Sequence, residues 1–169
     1  MNPINRRILI IDDNRAIHED FGKILGSGDA ENAQLTAFED ALFGESAPVP
    51  AAERFEICSA YQGRDGFELV RNAENDGHPF AVAFVDVRMP PGWDGVETLA
   101  RIWEVAPNLQ AVMCTAYSDY SPEQIAERIG NHDRLLILRK PVEPAEVRQL
   151  VCDLTEKWSK QNRDGSRAA

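Results

Sequence analysis

Five residues that could do chemistry together, Asp12, Asp13, Asp86, Thr115 and Lys140, stand just past short apolar runs. Asp12 and Asp13 follow Arg7 to Ile11, Asp86 follows Phe80 to Val85, Thr115 follows Gln110 to Cys114, and Lys140 comes shortly after Leu135 to Leu138. If these runs are strands of an open parallel sheet, groups just beyond their carboxyl ends gather along one edge. Three carboxylates held there repel: at about 4 Å and an effective dielectric near 20, each like-charged pair costs roughly 4 kcal/mol. A divalent cation removes that cost. Mg²⁺, a hard ion that keeps several waters and uses one or two carboxylates plus a phosphate oxygen, suits an open acidic site. Phosphoryl transfer needs an in-line nucleophile and positive charge around the transferring oxygens. A carboxylate can be the nucleophile, forming an aspartyl phosphate, and Lys140 adds to the positive charge. Spacing does not choose which acid that would be.

The elements that must position these groups are legible as apolar runs alternating with helical patterns, the signature of βα units on a parallel sheet. The first run is followed by Ile17, Phe21, Ile24 and Leu25 on one helical face, with Gly26 and Gly28 as a stop. A second strand over Phe55 to Ala60 precedes a helix from about Gly63 to Ala73, with Phe67 and Val70 inward. The unbroken apolar run Phe80 to Val85 fits a strand covered on both faces. Asp94 and Glu97 form a capping box ahead of Leu99, Ile102 and Trp103. Ser121, Pro122 and Gln124 supply a cap, a first-position proline and a box partner for the next helix. The last helix begins near Pro144, carries Val147, Leu150, Val151, Leu154 and Trp158 as a stripe, and is expected to end near Lys160.

Residues 26–53 break the alternation, being longer than such a connection needs. Thr36 and Glu39 make another capping box there, with Leu35, Phe38 and Leu42 on one face, so a short inserted helix is expected. It either covers apolar surface or docks a partner. The organisation is then one domain over 1–160 with this insertion, and a polar tail over 161–169 expected to be flexible. The chain of 169 residues is long enough for one core and too short for two ordinary domains.

A net charge of −10 argues against direct binding to nucleic acid. No apolar run approaches a membrane span, and no signal peptide is recognisable, so a cytoplasmic location is expected. The cysteines, Cys58, Cys114 and Cys152, lack the spacing of zinc or disulfide frameworks and read as small buried hydrophobes. His18, in IHEDF, reads as an ordinary helix-surface histidine, and His78 and His132 as solvated turn residues.

The segments IIDD, VDVRMP, CTA and RKP, in this order on five βα units, resemble the receiver domains of two-component signalling. The resemblance covers most of residues 5–159 outside the insertion. It implies a flavodoxin-like, doubly wound α/β fold with sheet order 2-1-3-4-5, five helices and the inserted one. It makes Asp86 the phosphoacceptor, and Asp12, Asp13, Asp86 and the backbone carbonyl of Arg88 the Mg²⁺ ligands. Thr115 would bond the phosphoryl oxygen and Lys140 pair with it, and the Lys140–Pro141 bond is often cis in this family. Implied partners are a histidine kinase or phosphotransfer protein as donor and a downstream protein or fused output domain as receiver. Three departures stand out. The loop MPPGWDG is one residue longer than usual, Ile137 occupies a position often aromatic, and the insertion resembles that of receivers in multidomain histidine-kinase-type proteins. Arg88 and Tyr117 flank the path of a hydrolytic water, which predicts a long-lived phosphorylated state.

Two other classes compete. A haloacid-dehalogenase-like phosphatase also uses an aspartate, a threonine and a lysine around magnesium, but Arg88 stands where its general acid would be. An interaction module independent of phosphorylation would not need every reacting residue present. On the last helix, the stripe suits packing against the sheet. Its alternating spacing of four and three is also that of a coiled-coil seam, which would give a homodimer.

Overall fold

The computed structural model describes residues 4–25, 55–116, 121–129 and 133–167. Along the chain run β1 (Arg7–Ile11), α1 (Arg15–Leu25), β2 (Glu56–Ala60), α2 (Gly63–Asn75), β3 (Val82–Asp86), α3 (Gly95–Val105), β4 (Gln110–Thr115), α4 (Pro122–Ile129), β5 (Leu135–Arg139) and α5 (Pro144–Arg167). The five strands form one sheet in the order β2-β1-β3-β4-β5, every neighbouring pair parallel. This is the flavodoxin-like order, with helices on both faces. The expected helix in 26–53 lies outside the described residues.

Strand residues alternate between two cores, as a period of two requires. Leu9, Ile11, Ala83, Val85, Ala111 and Met113 face Val70 of α2, Leu99 and Ile102 of α3, and Ile125 of α4. Ile8, Ile10, Val82, Phe84 and Val112 face Phe21 of α1 and Val147, Val151 and Leu154 of α5. The stripe on α5 is therefore taken up by its own sheet, and a second copy of the chain would have to meet another face of that helix. Because both faces are covered, β3 is buried along its whole length.

Register decides what meets at the carboxyl edge. Ile11 is paired with Val85, so Asp12 and Asp86 lie level; Asp86 is paired with Cys114, placing Thr115 one step beyond; and Thr115 is paired with Arg139, placing Lys140 one step further. The helix starts follow local chemistry. The Asp94 side chain accepts from Glu97 N at 2.8 Å, while Ser121 and Gln124 cap each other reciprocally at 3.0 and 3.2 Å.

Two expectations are corrected. α5 continues to Arg167 instead of ending near Lys160. Its added turns hold tertiary bonds: Gln110 Nε2 donates to Gln161 Oε1 at 3.1 Å, and Asn108 Nδ2 to Asn162 Oδ1 at 3.3 Å. These polar residues continue the helix because the start of β4 offers them partners. Of the three cysteines only Cys114 is buried; Cys58 is half-buried, and Cys152 is exposed because it follows core-facing Val151 on the outer side of α5.

Candidate functional site

Asp12 leaves β1 at the top of the sheet and is held at every polar group. Its N–H donates to Ala60 O at 3.1 Å, one carboxylate oxygen accepts from Asn14 N at 2.9 Å, and the other from Lys140 Nζ at 3.0 Å. Asp86 ends β3 and accepts from the same ammonium at 3.2 Å. Asp13, next to Asp12, points to the exposed side, and one carboxylate oxygen from each of Asp12, Asp13 and Asp86 lies within 4.8 Å of the others. Three sequence-expected acids and Lys140 thus meet.

Thr115 is buried at the end of β4, and its carbonyl accepts from Lys140 N at 2.9 Å, tying the last two strands together beneath the lysine. The Lys140–Pro141 bond is cis, as the resemblance implies, and Pro90–Pro91 is cis as well. Arg88 lies two residues past Asp86 on the exposed side of the same loop. Tyr117 and His132 lie outside the described residues; His78 is exposed.

The electrostatics are those of a site short of positive charge. Burial first, and the Asp12 charge second, push the Asp86 carboxyl up to about 6, with Lys140 acting in the opposite direction. Burial by itself would depress Lys140. The bonds and charges of Asp12 and Asp86 outweigh it and hold the ammonium above the ordinary lysine range. Beside them Cys114 is pushed up to about 12, mainly by burial, so its thiol stays protonated and takes no part as a nucleophile.

The donor set fits a hard cation. Several carboxylate oxygens converge from β1 and β3, one of the acids is exposed, and one ammonium cannot neutralise three carboxylates. Among the described residues this is the one group of three or more metal-type side chains.

The loop after β3 is fitted closely to the site. A Cβ on Gly95, the first residue of α3, would stand 2.3 Å from the Asp86 carbonyl oxygen, and Gly95 N donates to Val87 O at 2.8 Å. Only a residue without a side chain lets α3 begin so close to the acid. Behind the loop, the Trp93 ring packs edge-on against Phe67 at 6.0 Å and lies under the Arg101 guanidinium at 4.5 Å.

One residue of the site differs from its sequence reading. His18 is a buried residue and not an ordinary surface histidine: its Nε2 lies 2.8 Å from the Asp12 carbonyl oxygen, and its ring packs against Tyr61 at 4.5 Å. The signal was present in the spacing. His18 stands three residues before Phe21 and seven before Leu25, on the face that α1 turns to the sheet.

A family model for the response regulator receiver domain matches residues 50–152. Solved structures agree. A CheY-like response regulator receiver domain protein from Methanospirillum hungatei JF-1 is 21% identical with a TM-score of 0.63, over 92% of this chain and 98% of that one. The REC domain of AraT, a response regulator from Geobacillus stearothermophilus, is 26% identical with a TM-score of 0.59, over 94% and 98%. A chain of the CheX-CheY-BeF3-Mg²⁺ complex from Borrelia burgdorferi is 19% identical with a TM-score of 0.58, over 87% of each chain. No curated protein matches by sequence. With the family model spanning more than half of its length and the sheet order of that fold, this chain belongs to the response regulator receiver domain family.

Proposed function

We propose that this receiver domain accepts a phosphoryl group on Asp86 in a Mg²⁺-dependent reaction and so switches a surface for a protein partner. The observation that carries the reading is the meeting of Asp12, Asp13 and Asp86 within 4.8 Å under a lysine that bonds two of them. Asp12, Asp13, Asp86 and the Arg88 carbonyl would hold the ion, which when bound neutralises the acids and the charge on the transferring oxygens. It is supported by the family and by the Mg²⁺ and BeF3 named for the Borrelia burgdorferi complex.

The chain's own groups have separate duties. An Asp86 oxygen attacks phosphorus as the bond from phosphorus to the donor breaks, and the donor leaves with that electron pair. Lys140, already bonded to Asp86, turns to the phosphoryl oxygens as they arrive, and Thr115 donates its hydroxyl to another. The donor is a histidine kinase or phosphotransfer protein, and the output is a downstream protein or a domain fused to this one. The added charge beside Thr115 and Lys140 biases the surface those partners read.

Intact mass after incubation with acetyl phosphate tests this. A single phosphoryl adduct that requires Mg²⁺ and is lost in Asp86→Asn is expected. An adduct that persists in that variant would overturn the assignment of Asp86, and steady turnover of a simple phosphate ester would favour a phosphatase.

A further inference from the structure

The Asp12 carbonyl, at the head of the acidic loop, is held by a side chain that takes no part in the proposed reaction. Its partner is His18, one full helical turn inside α1. A carbonyl oxygen only accepts, so the hydrogen between them belongs to Nε2. In the neutral ring Nδ1 is then a bare lone pair; it is buried and makes no bond among the described residues. A buried polar atom left without a partner is costly. The ring therefore sits where it does for the bond on its other side, and Tyr61, tilted against it at 48° and lying under the Arg15 guanidinium at 5.1 Å, packs on it.

The peptide that His18 grips joins Asp12 to Asp13. Rotation of that peptide plane would swing the Asp13 carboxylate away from Asp12 and Asp86, because Asp12 itself is fixed by Ala60, Asn14 and Lys140. We infer that His18 is a positioning residue: its Nε2–H fixes the 12–13 peptide so that Asp13 faces the other two acids before a divalent cation arrives. The inference rests on the proposed Mg²⁺ site. Groups that orient metal ligands without touching the metal commonly change affinity about 10–100-fold when removed.

The test is Mg²⁺ affinity of the purified domain, followed by amide NMR or calorimetry, in the wild type and three variants. His18→Phe keeps the ring and its packing on Tyr61 but has no donor, and His18→Asn keeps polarity but is too short to reach. His18→Gln places an amide nitrogen close to the Nε2 position. Loss of about 10-fold in affinity in the first two, with recovery in the glutamine variant, is the expected result. Metal-free melting temperature is read alongside: a packing role would order the variants by stability, whereas positioning orders them by whether a donor reaches Asp12. Equal affinity in all four proteins overturns the inference and leaves the Mg²⁺ site standing, whereas a wild type that binds no Mg²⁺ overturns both.

Discussion

Asp86 is held in a compromise that its own chemistry explains. Buried, level with Asp12 and bonded to Lys140, its carboxyl has a folded-state value of about 6 against an ordinary 3.8. The folded protein therefore binds a proton there more readily than the unfolded chain does. That preference stabilises the fold fully below the unfolded value and is lost as pH rises toward 6, so at neutral pH the charged carboxylate is a liability. Asp86→Asn removes the charge and keeps an oxygen for Lys140. Without metal the variant is expected to be more stable than wild type at pH 7.5 by about 1–2 kcal/mol, after allowance for solvent at the open edge. The difference should shrink as pH falls below 6 and vanish by about pH 3, below the unfolded value, where the wild-type acid is protonated in both states. Urea denaturation across this range measures it, and a gap that grows toward low pH would contradict the assignment of strain to Asp86.

Among the elements, α3 is set most tightly against the site. Its first turn begins beneath Asp86 because Gly95 has no side chain, and Asp94 caps it from the loop. Gly95→Ala forces a methyl against a backbone oxygen, which must move along with the end of β3. A loss of about 1–3 kcal/mol in urea denaturation is expected, together with slower phosphorylation, since Asp86 moves with its carbonyl. The same substitution at Gly22, where a Cβ meets nothing within 4 Å, should leave phosphorylation at its wild-type rate. The strong helix starts were legible in sequence because capping is local: Asp94 with Glu97, and Ser121 with Gln124, sit three residues apart. The end of α5 was not, because Gln161 and Asn162 are held by Gln110 and Asn108, some fifty residues away. His18 falls between the two. Its place on the buried face of α1 was written in the helical spacing, but the Asp12 carbonyl that repays burying it is a backbone group no sequence pattern marks. The convergence of the acids was legible from the strand ends, while the order of the strands came only through resemblance to a family.

At the scale of the whole molecule, an acidic chain of net charge −10 concentrates three carboxylates on one sheet edge with a single lysine between them. A cation bound there acts on the folded state alone, since the unfolded chain does not bring β1 and β3 together. Its effect on stability is RT ln(1 + [Mg²⁺]/Kd), which at ten times Kd is about 1.4 kcal/mol. In a domain of this size that raises the melting temperature by about 3–6 °C. General screening of a negative protein by salt would also raise it, so the comparison is made against NaCl at equal ionic strength, which leaves only the specific part. Asp13→Asn, which changes the exposed acid of the three and leaves both bonds of Lys140 intact, should abolish the Mg²⁺-specific rise and retain the response to NaCl. If Asp13→Asn keeps the full rise, the ion is bound elsewhere on the acidic surface, and the link from strand register to converging acids to metal is broken at its last step.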